Sequence, residues 1–195
     1  MSNLIFVCGI SGVGKTFLLN AASKTLLDVQ YLSAGKLAQK IEHEQDPNLR
    51  QLELGKMLAR YRVSGSTLIV DGHLVFPKEG GFFDVPLDAV AALHPNAIIV
   101  VVDDCQMIAN RRKNDQVRGR ETIATPHLKK WQDREICLAI DYAKRLGIPS
   151  QTISARDTER FINVLELFAP HKGTGRLIEH EFQLTCAINT IDNRG

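Results

Sequence analysis

A chain of 195 residues lies in the usual range of a single domain and is long enough to bury a sizeable core. With 44% hydrophobic residues, 24% charged residues and a net charge of only +2, it has the composition of an ordinary globular protein. That balance excludes a generic nucleic-acid or membrane binder, and any basic cluster has to be local.

In chain order, strand signals fall near residues 4–8, 29–32, 67–71, 97–103 and 150–154. Helical signals fall near 15–27, 34–44, 48–63, 86–93, 104–117, 126–146 and 157–168. The fourth strand signal, Ala-Ile-Ile-Val-Val-Val-Asp at 97–103, is apolar at consecutive positions, as expected of a parallel strand covered on both faces. Alternation of this kind predicts an α/β fold: a five-stranded parallel sheet with helices on both faces. Two segments look inserted into that scheme, one at about 33–62 and a polar, arginine-dense one at about 111–126. Ligands in such sheets bind beyond the carboxyl ends of the strands.

The first strand signal runs straight into GISGVGKT at residues 9–16, a complete G-x-x-x-x-G-K-[ST] phosphate loop. A strand before it and an apolar helical stretch after it supply the context the motif needs. Gly9, Ser11, Gly12, Val13 and Gly14 would curl backbone N–H groups around phosphates, helped by the helix N-terminus. Lys15 would reach the β- and γ-phosphates of ATP, and the Thr16 hydroxyl would take a place on Mg2+. The third strand ends Val-Asp-Gly-His at 70–73, so Asp71 lies beside the loop and can hold Mg2+ through its waters. His73 either orients a substrate group or closes the turn.

Residues 111–121 read RRKNDQVRGRE, four arginines in ten residues. Phosphoryl transfer disperses negative charge over several oxygens, and the planar guanidinium fork suits that task. Charge runs also occur as plain solvated faces.

Together, GISGVGKT, VDGH, the RR-x-x-D-x-x-R-x-R-E stretch and His127 followed by Arg134 resemble archaeal-type adenylate kinases, a P-loop nucleoside monophosphate kinase family. The resemblance covers about residues 3–168. It implies a P-loop kinase core at 1–169 with an acceptor-binding insert at 33–62 and a short lid at 111–126. It implies that Lys15 bridges the phosphates while Thr16 and Asp71 hold magnesium. Arg112, Arg118 and Arg120 match lid arginines, and Arg134 would point back toward the same phosphates. Arg50 matches the arginine that grips the acceptor monophosphate, with Ser33 and Gly35 at the floor of that pocket. Arg156, in the loop after the last strand, would lie over the donor base. Ser11 departs from the family's usual proline. The segment at 77–86 only loosely matches the family's acceptor-reading loop, and Phe82 and Phe83 could stack on a base or pack under the loop.

The implied activity is transfer of the γ-phosphate of ATP to a nucleoside monophosphate, with AMP favoured. The alternatives are a same-fold kinase of another small acceptor, such as dephospho-coenzyme A or a non-adenine nucleotide, and an ATP-binding accessory module acting through a partner. The extension at 170–195 carries alternating Phe182, Leu184, Cys186 and Ile188, the pattern of a half-buried strand. Such a strand could pair with the chain's own sheet, a second copy or another protein. The cysteines form no C-x-x-C pair or zinc spacing, and neither a signal peptide nor a membrane-length apolar run is seen. The expectation is a cytoplasmic protein with reduced thiols.

Overall fold

The computed structural model describes residues 3–26, 29–41, 44–115 and 123–169. Strand β1 (Asn3–Cys8) is followed by helix α1 (Lys15–Thr25), then β2 (Val29–Ser33), α2 (Ala34–Ala38), a 3-10 turn (Gln39–Ile41) and α3 (Pro47–Ala59). Next come β3 (Thr67–Asp71), a pair of short strands β4 (Val75–Lys78) and β5 (Gly81–Asp84), α4 (Leu87–Ala91) and β6 (Ala97–Val102). Helices α5 (Cys105–Asn114) and α6 (Thr125–Leu146), strand β7 (Ser150–Ser154) and α7 (Thr158–Phe168) complete the described chain.

Strands β2-β3-β1-β6-β7 form one five-stranded sheet, in that order, and every pairing is parallel. Successive residues of a strand face opposite sides, yet Leu4, Ile5, Phe6 and Val7 of β1 are all buried, as are Ala97 to Val101 of β6. Both faces are therefore covered, which is why these strands read as unbroken apolar runs. Helix α1 packs against α7, and α6 lies against β6 and β7. β1 sits in the middle of the sheet, where the chain order switches direction, and so delivers the residue after Cys8 to the crevice at the carboxyl edge.

All five sheet strands fall where the sequence places them. The helix expected at 34–44 is shorter: α2 stops at Ala38 and tightens into the 3-10 turn, because Pro47 and its Asp46 cap start a separate helix. The Asp46 carboxylate accepts from the Asn48 and Leu49 N–H groups. The larger correction concerns 77–86, read as a loop. Val75–Lys78 and Gly81–Asp84 pair antiparallel around the two-residue turn Glu79-Gly80, with Gly80 at φ 74°. Pro77 and the Gly-Gly pair hid the strand signal, and a proline is tolerated here because the hairpin stands apart from the main sheet. The extension at 170–195 and Arg118 and Arg120, two of the arginines expected in a lid, lie outside the described residues.

Candidate active site

The phosphate loop leaves β1 at Gly9, whose φ of 144° favours glycine. A Cβ there would stand 2.5 Å from the Val101 carbonyl oxygen of β6, so only glycine fits this close approach. The loop ends on Gly14, the left-handed N-cap of α1, and no side chain caps that helix. By contrast α3, α5 and α7 are each capped by an aspartate. The first N–H groups of α1 thus remain open toward a cavity of about 1100 Å³ lined by the loop from Ile10 to Thr16 and by Ser33, Asp71 and His73.

Lys15 is buried at the start of α1. Its ammonium donates to the Gly9 carbonyl and lies 3.5 Å from His73 Nδ1 and 3.6 Å from Asp71 Oδ1. Burial lowers the Lys15 pKa, while the Asp71 and Glu135 carboxylates beside it pull the other way. Asp71 Oδ1 is buried and accepts no hydrogen bond, and its Oδ2 accepts from the Tyr31 hydroxyl at 3.1 Å. Asp71 and the Thr16 hydroxyl face the same cavity, a hard-oxygen donor set that fits Mg2+ shared with phosphate oxygens. Among the described residues no cluster of three His, Cys, Asp or Glu could hold a metal unaided. His73 Nδ1 sits 2.7 Å from the Gly9 carbonyl, so its proton closes the turn onto the phosphate loop.

The expected arginines divide. Arg112 is buried, donates to the Ser11 carbonyl at 3.0 Å and lies 5.7 Å over the Trp131 ring, so it braces the outside of the loop. Its neighbour Arg111, which sequence reasoning did not single out, lines the cavity, donates to the Val13 carbonyl at 2.7 Å and pairs with Asp103. Arg156 pairs with the other oxygen of Asp103 at 2.7 Å. Burial alone would raise the Asp103 pKa, but the two guanidinium groups and the Asp104 N–H hold it below the usual carboxylate value. Arg134 does not point back to the phosphates. It forks onto Asp84 at the end of β5, because its position on α6 faces the hairpin rather than the loop.

A second cavity, of about 390 Å³, opens between α2, α3, α4 and the hairpin. Phe6, Leu54, Phe76, Phe83 and Val90 make it mostly apolar, and Arg50 enters it with a buried Nε that has no hydrogen-bond partner. Gly35, Gln39, Gly72 and His73 line both cavities. Ser33 lines only the larger one. Of the three hairpin phenylalanines, Phe76 and Phe83 line this smaller cavity and Phe82 packs at 5.1 Å on His127.

Glu135 is the residue most completely missed. It has no exposed surface; its Oε1 accepts from Gly9 and Leu74 N–H, and its Oε2 from Val75 N–H, all at 2.9 Å. Burial pushes its carboxyl up to about 7, against these hydrogen bonds and the Lys15 charge. The available signal was a lone acid within the buried stripe Leu128, Trp131, Ala139 and Tyr142 of α6.

A parallel sheet carrying a phosphate loop at its carboxyl edge, with a second cavity meeting the first, defines a protein of the P-loop kinase type. Residues 8–129 match the family described as AAA domain, and the chain belongs to that family. It is similar to the adenylate kinase of Pyrococcus abyssi, 24% identical over 159 residues covering 73% of this chain and 81% of that protein. The adenylate kinase of Methanococcus vannielii is 23% identical over 189 residues, 84% of this chain and 98% of that one. Among solved structures, a sugar kinase from Janibacter sp. has the same fold, with a TM-score of 0.50 at 13% identity over 86% of this chain and 94% of that one.

Proposed function

We propose that the protein transfers the γ-phosphate of ATP to a nucleoside monophosphate, with AMP the favoured acceptor. The observation that carries this reading is the junction of two cavities along Gly35, Gln39, Gly72 and His73, with the Lys15 ammonium 3.5 Å from His73 at that boundary. A donor on the loop and an acceptor against α3 would bring their phosphates together there, which is the positioning that phosphoryl transfer requires. The loop N–H groups and the open end of α1 bind the donor phosphates. Lys15 and Arg111 gather charge on the transferred group, and Arg50 holds the acceptor's anionic end. Thr16 and Asp71 would hold Mg2+, which offsets charge on the β- and γ-oxygens. Arg118 and Arg120 belong to the same reading as lid residues that close over both phosphates. The resemblance to adenylate kinases supports the nucleotide acceptor.

The mostly apolar wall of the smaller cavity favours a second reading, a kinase of another small acceptor such as dephospho-coenzyme A or a non-adenine nucleotide. One screen separates them: ATP consumption by the full chain with AMP, dAMP, CMP, UMP, GMP, dephospho-coenzyme A or no acceptor. AMP giving the highest kcat/KM is expected. Equal consumption without any acceptor would replace both readings with an ATPase acting through a partner.

A further inference from the structure

Helix α6 holds the hairpin at four places. The Trp131 indole N–H donates to the Val75 carbonyl at 2.9 Å, Glu135 accepts from Leu74 and Val75, Arg134 forks onto Asp84, and the Tyr142 hydroxyl donates to the Val85 carbonyl at 2.7 Å. Arg134 and Tyr142 fix the hairpin alone, whereas Trp131 also lies under Arg112, which holds the Ser11 carbonyl. The fourth, Glu135, also accepts the Gly9 N–H and so reaches the first residue of the phosphate loop. Gly9 is gripped from its other side as well, since its carbonyl takes Lys15 and His73. One residue, through its N–H on one side and its carbonyl on the other, therefore joins the loop, His73 at the boundary of both cavities, and the helix that anchors the hairpin bearing Phe76 and Phe83.

We propose that Glu135 is a positioning residue that couples the two cavities: it fastens the phosphate loop and the root of the hairpin to one carboxylate, so that filling the donor cavity stiffens the acceptor wall. The physical basis is the number of donors on one rigid group. A carboxylate with no exposed surface and three N–H partners has no spare lone pair exposed to water, so a loop movement that displaces Gly9 must also disturb Leu74 and Val75. Coupling of this kind is reciprocal, and an acceptor in the smaller cavity would in turn tighten the donor. The proposal rests on the loop binding a nucleoside triphosphate, but not on which acceptor the second cavity takes.

Hydrogen exchange of the full chain, with and without a saturating non-hydrolysable ATP analogue and Mg2+, tests it. Wild type should show slowed exchange over residues 9–16 and also, about fivefold or more, over residues 74–85, which the analogue does not touch. In Glu135→Gln the amide nitrogen meets an N–H where an oxygen stood, so at least one bond is lost. This variant should keep the slowing over 9–16 and lose it over 74–85. Tyr142→Phe removes the bond to the Val85 carbonyl without touching the phosphate loop; it should loosen the hairpin in the unliganded chain yet keep the ligand-induced slowing. If Glu135→Gln does not fold, Glu135→Asp carries the test, its carboxylate one methylene short, and should show a reduced response at the hairpin. Wild type slowed over 9–16 alone, or a folded Glu135 variant with the full wild-type response, would overturn the coupling. No slowing over 9–16 would remove the donor reading itself and the coupling with it.

Discussion

The two cavities are built by opposite means. The larger one is shaped by backbone: glycines at positive φ, uncapped N–H groups of α1, and carbonyls bound by Lys15, Arg111 and Arg112. The smaller one is shaped by side chains, with aromatic and aliphatic groups around a single guanidinium. Backbone recognition tolerates little change in sequence and so leaves a motif. Side-chain recognition can be achieved by many residue sets and leaves none. The donor is therefore written in eight residues, while the acceptor has to be read from shape.

The sharpest break between the two sides comes from Lys15→Met. If the buried Lys15 ammonium gathers charge on the transferred group as proposed, its loss should lower kcat by about two to three orders of magnitude with both Michaelis constants little changed. Steady-state kinetics with ATP and AMP checks it, and wild-type turnover would remove Lys15 from the chemistry.

A second experiment probes the junction. The folded value of about 7 for Glu135 lies above its ordinary 4.5, so the folded chain holds this proton more tightly than the unfolded one. The stability this provides is complete below about pH 4.5 and is lost as pH rises through about 7, by at most roughly 3 kcal/mol. Chemical unfolding at pH 5 and pH 8 should show wild type losing more stability across that window than Glu135→Gln. Parallel curves for the two proteins would mean that the carboxyl ionises alike in both states.

On the acceptor side, Arg50→Ala should raise the acceptor's Michaelis constant about tenfold or more and leave that of ATP nearly unchanged. An equal rise for both nucleotides would move Arg50 out of the second cavity. The smallest effect is expected at Asp46→Ala, which removes the cap of α3 and should cost about 1 kcal/mol in thermal unfolding with little change in ATP affinity.

Much of this was legible in the sequence, for identifiable reasons. Continuous burial on both faces made β1 and β6 visible as apolar runs, and the glycine spacing marked the loop. The hairpin was not legible, because Pro77, Gly80 and Gly81 read as breakers where the structure uses them at an isolated edge and a tight turn. Arg111 and Arg112 are adjacent, and only the phase of α5 decides which faces the cavity. Arg134 went astray for the same reason: a helix position gives a direction only once its neighbours are placed. Glu135 acts through backbone N–H groups far along the chain, and Asp103 through the guanidinium groups of Arg111 and Arg156, relations that no local pattern contains.

The hairpin shares no ladder with the parallel sheet; its pairing is complete within itself. Its attachments are two chain ends, a handful of bonds to one helix, and the packing of Val75 and three phenylalanines against the core. It therefore behaves as an exchangeable cartridge. Residues 75–84 could be lengthened, shortened or transplanted without unzipping a single rung of the sheet that presents the phosphate loop. Selection, or a protein engineer, can then alter the wall of the smaller cavity beyond Val75, provided that Leu74 and Val75, which share Glu135 with Gly9, keep their place.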